Sequence, residues 1–243
     1  MIRRLEEVSL SAWPALQTLY YDGWLLRFAD GYTRRANSVN AVYDSTLPLD
    51  EKIARCEQLY AARGLPTIFK MTEAVHPHDL DAVLEARGYT AEAHTSVQTV
   101  DLAQMELPAA PLFFSSTPDE DWLALYCRLN EVDPARIPVM RAMLGSIVPA
   151  VAYARLEYAG ETAAVGLAVA DGAYAGLFDL VVDARWRGRG LGRGLVTGLL
   201  AWGRAQGAQT AYLQVMLNNV PAQRLYANLG FREAYRYWYW VRA

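Results

Sequence analysis

The sequence is poor in the residues that staple small folds or hold metals. Cys56 and Cys127 are the only cysteines among 243 residues, and they show no paired spacing. Two thiols make neither a disulfide framework nor a zinc site, so both read as free thiols of a cytoplasmic protein. Histidine is as scarce, with His76, His78 and His94. His76-Pro77-His78 has no carboxylate or cysteine at ligand spacing, so it reads as a loop and no metal is expected. No stretch approaches the roughly 18 consecutive apolar residues of a membrane span. The opening Met1-Ile2-Arg3-Arg4-Leu5-Glu6-Glu7 turns polar and acidic at once, which speaks against a secretory signal. A formal net charge of −3 gives no general attraction to nucleic acid or to an anionic membrane. What the chain has in quantity is apolar residue, 53% against 20% charged, which packs a core in one large domain or two compact ones.

Glycine stops and apolar periodicity divide the chain into elements. After Gly190, Leu191, Leu195, Leu199 and Trp202 recur at helical spacing as far as Gly207, which predicts an amphipathic helix. Upstream, 163–182 is rich in Val, Ala, Leu and aromatics and is broken by Asp171-Gly172, the pattern of strand, tight turn and strand. Residues 211–217 read as a further strand, 220–229 as a short helix ending at Gly230, and 231–241 as an extended aromatic segment. That order implies a mixed β-sheet flanked by helices, an α/β (α+β) fold. The first half repeats the ending. A helix over 47–62 stops at Gly64, a strand follows over 67–71, a helix over 78–87 stops at Gly88, and 97–102 is a closing strand. The glycine stops lie 24 residues apart in the first half and 23 in the second, a spacing that fits two tandem halves and equally any two helix–strand–helix units. The proline-bearing stretch 104–118 is the natural linker, which divides the chain into 1–110 and 111–243.

The most informative segment is Arg185-Trp186-Arg187-Gly188-Arg189-Gly190-Leu191-Gly192-Arg193-Gly194, between a predicted strand and the start of a predicted helix. Glycines let successive backbone N–H groups turn toward a ligand without a Cβ in the way. A helix start adds unpaired donors and a positive dipole end, and arginines pair with further phosphate oxygens, so the place suits a pyrophosphate. It is not a Walker loop, which requires Gly-Lys-Ser/Thr, and the dinucleotide pattern GxGxxG breaks at Arg193 or Leu195.

Arg187-x-x-Gly190-x-Gly192 resembles the acyl-CoA pyrophosphate motif of the GNAT superfamily of N-acetyltransferases, with Val181 and Val182 at the hydrophobic positions before it. Asn219-x-x-Ala222-x-x-Leu225-Tyr226-x-x-x-Gly230-Phe231 resembles that superfamily's second motif. The match covers about residues 115–243, and the whole chain is similar to bacterial proteins that carry a degenerate GNAT-like half before the active one. The resemblance implies a sheet splayed after its fourth strand, with the pantetheine arm of acetyl-CoA in the gap. It further implies that Leu180, Val181 and Val182 bind that arm, and that Arg187, Gly188, Arg189, Gly190, Leu191, Gly192 and Arg193 form the phosphate cradle.

Transfer of acetyl from a thioester to an amine requires a proton to leave the amine, donors for the tetrahedral oxyanion, and a proton for the departing thiolate. A phenol can supply the last, and Tyr226 stands where GNAT enzymes commonly place a tyrosine acid. Asn219 has two readings, a contact to the cofactor arm and a helix N-cap ahead of Val220-Pro221. Asp179 is the named base, at a position where many GNAT proteins carry an acid facing the acceptor; a carboxylate at a strand edge is its other reading. Glu131 and Asp133, between two predicted helices, are rivals for binding the amine, while Asp183 reads as a turn residue. The oxyanion donor is expected from the backbone near Val181. The run Tyr235 to Trp240 reads as packing, or as the lining of an acceptor pocket or dimer contact.

Overlaying the halves on their glycine stops puts Asp44 where Arg187 stands and Leu84 where Tyr226 stands. The first half therefore lacks cradle and acid, and no second active site of this type is expected there. Arg34, Arg35 and Asn37 read either as reaching the acceptor pocket or as a solvated hairpin. The expected function is transfer of acetyl from acetyl-CoA to a small-molecule or peptide amine. A non-catalytic acyl-CoA-binding regulatory module is the alternative. Neither nucleic acid nor membrane is expected as partner, and the chain is expected to be a monomer or homodimer.

Overall fold

The computed structural model describes residues 1–108 and 110–242. Helix α1 (Ile2–Ala12) is followed by strands β1 (Gln17–Tyr21), β2 (Trp24–Phe28) and β3 (Val39–Asn40). Helix α2 (Leu49–Ala61), strand β4 (Thr67–Thr72), helix α3 (Leu80–Ala86) and strand β5 (Thr90–Asp101) complete the first half. The second half begins with β6 (Leu112–Ser115), α4 (Glu120–Leu129), α5 (Ile137–Gly145) and β7 (Ala150–Tyr158). It continues with β8 (Glu161–Asp171), β9 (Tyr174–Val182), α6 (Leu191–Ala205), β10 (Thr210–Met216), α7 (Val220–Ala227) and β11 (Arg232–Arg242). The architecture is the expected mixed sheet flanked by helices. The stretch 104–118 is not all linker, since it supplies β6, whose Leu112 to Ser115 pair antiparallel with β7. One residue of that stretch, Ala109, lies outside the described residues.

All eleven described strands join one sheet in the order β1-β2-β3-β4-β11-β5-β10-β9-β8-β7-β6. The two halves exchange their closing strands across it. β5, from the first half, pairs antiparallel with β10 from Thr210↔Asp101 to Met216↔Thr95. β11, from the second half, lies against β4 from Tyr237↔Thr72 to Arg242↔Thr67 and against β5 on its other edge. Backbone hydrogen bonds thus join segments from either side of residue 110, the expected boundary, into one sheet.

Helix α6 forms where the apolar spacing predicts it and buries Leu195, Val196, Leu199 and Leu200 on the sheet. Each fully buried side chain of this size stabilises the fold by about 1.5–3 kcal/mol. Gly166 on β8 permits this contact, because a Cβ there would stand 2.7 Å from Leu180 and 3.0 Å from Leu199. One apolar cluster lies beneath α6 and α7. A second fills the opposite face beneath α1, α4 and α5, and a third lies under α2 and α3.

The feature that positions the site is a parting of β9 from β10. Their parallel pairing runs from Thr210↔Tyr174 to Leu213↔Leu177 and goes no further. Beyond it β9 bulges against β8, with a register shift between Val165 and Leu167 and Asp179 at φ 53°. A left-handed aspartate is uncommon, and here it turns the strand away from its neighbour. The first half has the corresponding parallel pair, Val39↔Phe69 and Asn40↔Lys70. There the gap is sealed, because the His76 N–H donates to Ala41 O at 3.1 Å.

Candidate active site

The gap opens into a cleft of about 620 Å³ between β9, the 186–192 turn and α7. Its wall brings together Leu180, Val181, Val182, Arg187, Gly188, Gly190, Leu191, Gly192, Asn219 and Tyr226, ten residues that the sequence assigned to the site. Strand alternation sorts the first three. Leu180 and Val182 pack toward the α6 and α7 cluster, and Val181 toward the opposite one. Past Leu177 the β10-facing edge of β9 has no strand partner, so its backbone groups face the gap.

Gly190 caps α6 in the left-handed conformation, φ 80°. The first turn closes with Gly194 N–H donating to Gly190 O at 3.0 Å. The N–H groups of Leu191, Gly192 and Arg193 therefore have no helical acceptor. No acidic side chain occupies this first turn, which leaves the positive end of the dipole for an anion. A Cβ built on Gly188 or Gly190 meets nothing within 4 Å, so both backbones face open space. Arg187 donates Nε–H to Val182 O at 3.2 Å, and the rest of its guanidinium is exposed.

The side chains of two arginines expected in the cradle point elsewhere. Arg193 lines a separate depression with Asn228 and Arg232. The reason is helical period: Leu191, Gly192, Leu195 and Val196 form the cleft face of α6, and Arg193 falls on the next. Arg189 lies over the Tyr158 and Trp186 rings, 5.6 Å from each centroid, outside the cleft wall. Arg185 is engaged by Asp183 and Glu161. Asp183 is the turn residue expected, capping the 184–186 turn and held below the usual carboxylate range by Arg185.

Tyr226 is 8% exposed and tilted against Phe231 at a centroid distance of 5.9 Å. Burial pushes its phenol up to about 12, so it carries its proton across the neutral range. Among the described residues its hydroxyl has no hydrogen-bond partner. Asn219 caps α7 by accepting from the Ala222 N–H at 3.3 Å while also lining the cleft, so its two readings are compatible.

Asp179 lies on the other face of the parting, among Tyr32, Tyr126, Tyr153 and Arg35. Its side chain is 6% exposed. Burial pushes its carboxyl up to about 6, against the opposing pull of Arg35 and Tyr126. Oδ2 is buried without a hydrogen-bond partner. Arg35 stands on a one-turn 3-10 helix, Arg34–Ala36, rather than on a solvated hairpin. Of the rival carboxylates, Asp133 is occupied in capping the next turn and Glu131 is exposed. Sequence reasoning also missed Trp186, Asn130 and Leu129 on the cleft wall. Trp186 sits inside the glycine-arginine loop, where a large aromatic is itself a signal; Asn130 and Leu129 carry none.

Comparison with known proteins agrees with this geometry. The family model described as "Probable histone acetyltransferase Rv0428c C-terminal" matches residues 1–240. The chain is 28% identical over 237 residues to the "Uncharacterized N-acetyltransferase YobR" of Bacillus subtilis (strain 168), covering 95% of this chain and 94% of that one. It is 30% identical over 240 residues to the "Probable histone acetyltransferase Rv0428c" of Mycobacterium tuberculosis, covering 95% of this chain and 70% of that protein. Among solved structures, a GCN5-related N-acetyltransferase from Kribbella flavida superposes with TM-score 0.71 at 14% identity, over 98% of this chain and 94% of that one. A tandem GNAT protein from the clavulanic acid biosynthesis pathway superposes with TM-score 0.64 at 17% identity, over 98% and 87%. With two motifs, a parted sheet and a family match along its whole length, the chain belongs to the Rv0428c C-terminal family and is an acetyltransferase of the GNAT type.

Proposed function

We propose that the protein transfers acetyl from acetyl-CoA to a primary amine by direct attack. The observation that carries this reading is the single cleft wall on which the glycine turn, the unpaired edge of β9 and Tyr226 meet. The free N–H groups at the start of α6, with Gly188, Gly190 and Arg187, would hold the pyrophosphate. Leu180, Val181, Val182 and Asn219 would hold the pantetheine arm. No metal is assigned a role. Among the described residues no group of three or more His, Cys, Asp or Glu could hold one.

In the reaction Asp179 takes one proton from the acceptor ammonium, and the neutral amine attacks the thioester carbon. A backbone N–H near Val181 stabilises the oxyanion. The adduct collapses with rupture of the C–S bond and loss of the second amine proton. Tyr226 protonates the departing sulfur and is re-protonated from water, so one proton net is released with the amide and the free thiol. Asp179 is set among residues of one face of the sheet and Tyr226 packs on the other, which supports giving the acceptor side to the first and the donor side to the second.

Release of free thiol from acetyl-CoA across a panel of amines, including polyamines, amino acid esters, aminoglycosides and lysine peptides, tests the reading. Amine-dependent release with an acetylated product is expected. Tight binding of acetyl-CoA with no turnover on any amine identifies a regulatory binding module instead.

A further inference from the structure

The first half has no phosphate cradle, yet it is built to deliver one side chain to the second. Arg27, on β2, is 3% exposed and has no salt bridge among the described residues; its guanidinium donates to backbone carbonyls. It donates to Arg35 O at 2.5 Å, to Trp13 O at 2.5 Å and to Leu10 O at 3.1 Å. A buried arginine used in this way fixes the end of α1 and the 34–36 turn relative to each other. Asn37 fixes the turn from its other side. Its Oδ1 accepts from Ala29 N–H and Gly31 N–H at 2.8 and 2.9 Å, and its Nδ2 donates to Thr33 O at 2.8 Å. What these bonds orient is the Arg35 guanidinium, stacked 4.6 Å above the Trp13 ring.

That guanidinium stands 3.8 Å from Asp179 Oδ1. The distance is too long for a hydrogen bond but well within the range of a strong charge interaction. An isolated carboxylate in this setting would give up its charge. The other groups facing Asp179 are the neutral phenols Tyr32 on the preceding loop, Tyr126 on α4 and Tyr153 on β7. Tyr237 and Tyr239 of β11 face Arg35 from the remaining side. Arg35 is thus the one cation set against this carboxylate among the described residues. It also walls an open groove of about 330 Å³ with Thr33, Gln214 and Tyr239.

Building on the acetyltransferase reading, we propose that Arg35 is a positioning residue that holds the buried Asp179 carboxylate charged and in place. The degenerate half thereby completes the acceptor side of the reaction centre. This gives that half a chemical task although its sequence carries no glycine-arginine cradle. It also gives a use to the buried Arg27, which ties the turn carrying Arg35 to the end of α1.

The test is a titration of the aspartate carboxyl 13C resonances in the full chain, with Asp179→Asn identifying the signal. An opposite charge this close lowers a carboxyl pKa by about 1–3 units. The midpoint of Asp179 is therefore expected to rise by about one pH unit or more in Arg35→Met, and Arg35→Lys is expected to restore most of it. Arg35→Gln is the second neutral variant if Arg35→Met does not fold. The acidic limb of the acetyl-transfer rate should move the same way, with near-normal rates at high pH; a packing role would lower the rate equally at every pH. A midpoint within about 0.3 unit of wild type, in a folded variant neutral at position 35, overturns the proposal. Asp179→Asn separates the two readings. Lost transfer with an unmoved Arg35→Met midpoint overturns the role of Arg35 alone. A moved midpoint with transfer intact in Asp179→Asn upholds the pairing and overturns the base.

Discussion

Gly190→Val separates what the glycine turn does for the fold from what it does for the cofactor. In the protein alone the added side chain has room, since the Cβ meets nothing within 4 Å. Its cost is conformational. Position 190 sits at φ 80°, and an L-residue there costs about 1–2 kcal/mol. That is a fraction of the roughly 5–15 kcal/mol that holds an ordinary domain together, so the variant should fold. The same open space is where a pyrophosphate would lie, and a valine there keeps it from the free N–H groups of α6. Loss of one or two charge-assisted hydrogen bonds, at about 1.5–3 kcal/mol each, weakens binding by roughly tenfold or more. Gly207→Val is the control. It carries a similar strain at φ 94°, also with nothing within 4 Å, but at the far end of α6. Calorimetric titration with coenzyme A, alongside thermal melting, should show both variants melting earlier and only Gly190→Val binding more weakly. Unchanged affinity in folded Gly190→Val, or equal weakening in Gly207→Val, refutes the placement of the pyrophosphate.

Asp179→Asn should lower turnover by roughly a hundredfold to ten-thousandfold, and the wild-type rate should fall as pH drops through about 6, where the base takes up its proton. The same substitution should stabilise the fold. A carboxyl raised from 3.8 to about 6 binds its proton more tightly folded than unfolded. Its cost is therefore absent below about pH 4 and fully felt above pH 6, so asparagine should gain up to about 3 kcal/mol in urea unfolding at neutral pH. Residues 1–110 and 111–243, produced as separate chains, should be recovered together rather than singly, because each supplies the strand that closes the other; co-purification of tagged halves checks this.

Much of the second half was legible because its signals are local. The period of Leu191 to Trp202, the Asp171-Gly172 turn and the Asn219 cap each act within one or two turns of chain. The glycine-arginine turn ahead of α6 was legible because positive-φ glycines and a helix start leave a local mark in the sequence. The first half was harder to read. Strand β3 is two residues long and carries no periodicity, and β1 is a largely exposed edge strand with no alternation. The exchange of β5 and β11 is a choice among long-range pairings that leave the same local pattern in the sequence. Arg193 shows the limit of a motif read without its helix: its backbone N–H lies in the first turn of α6, but the helix turns its side chain to another face. Arg35 was ambiguous because its partner is 144 positions away, and no spacing records a contact between halves.

In the proposed reaction Tyr226 gives a proton to the departing thiolate. Tyr226→Phe removes one hydroxyl and keeps the ring that packs on Phe231. As that hydroxyl has no partner to lose among the described residues, stability should hardly change. On an amine that the wild type acetylates, turnover should fall by roughly a hundredfold to ten-thousandfold, while coenzyme A affinity stays the same. The loss should shrink with an acyl donor whose thiol is more acidic, because that sulfur leaves without needing a proton. Turnover within about threefold of wild type, in a variant that binds coenzyme A normally, would contradict the account.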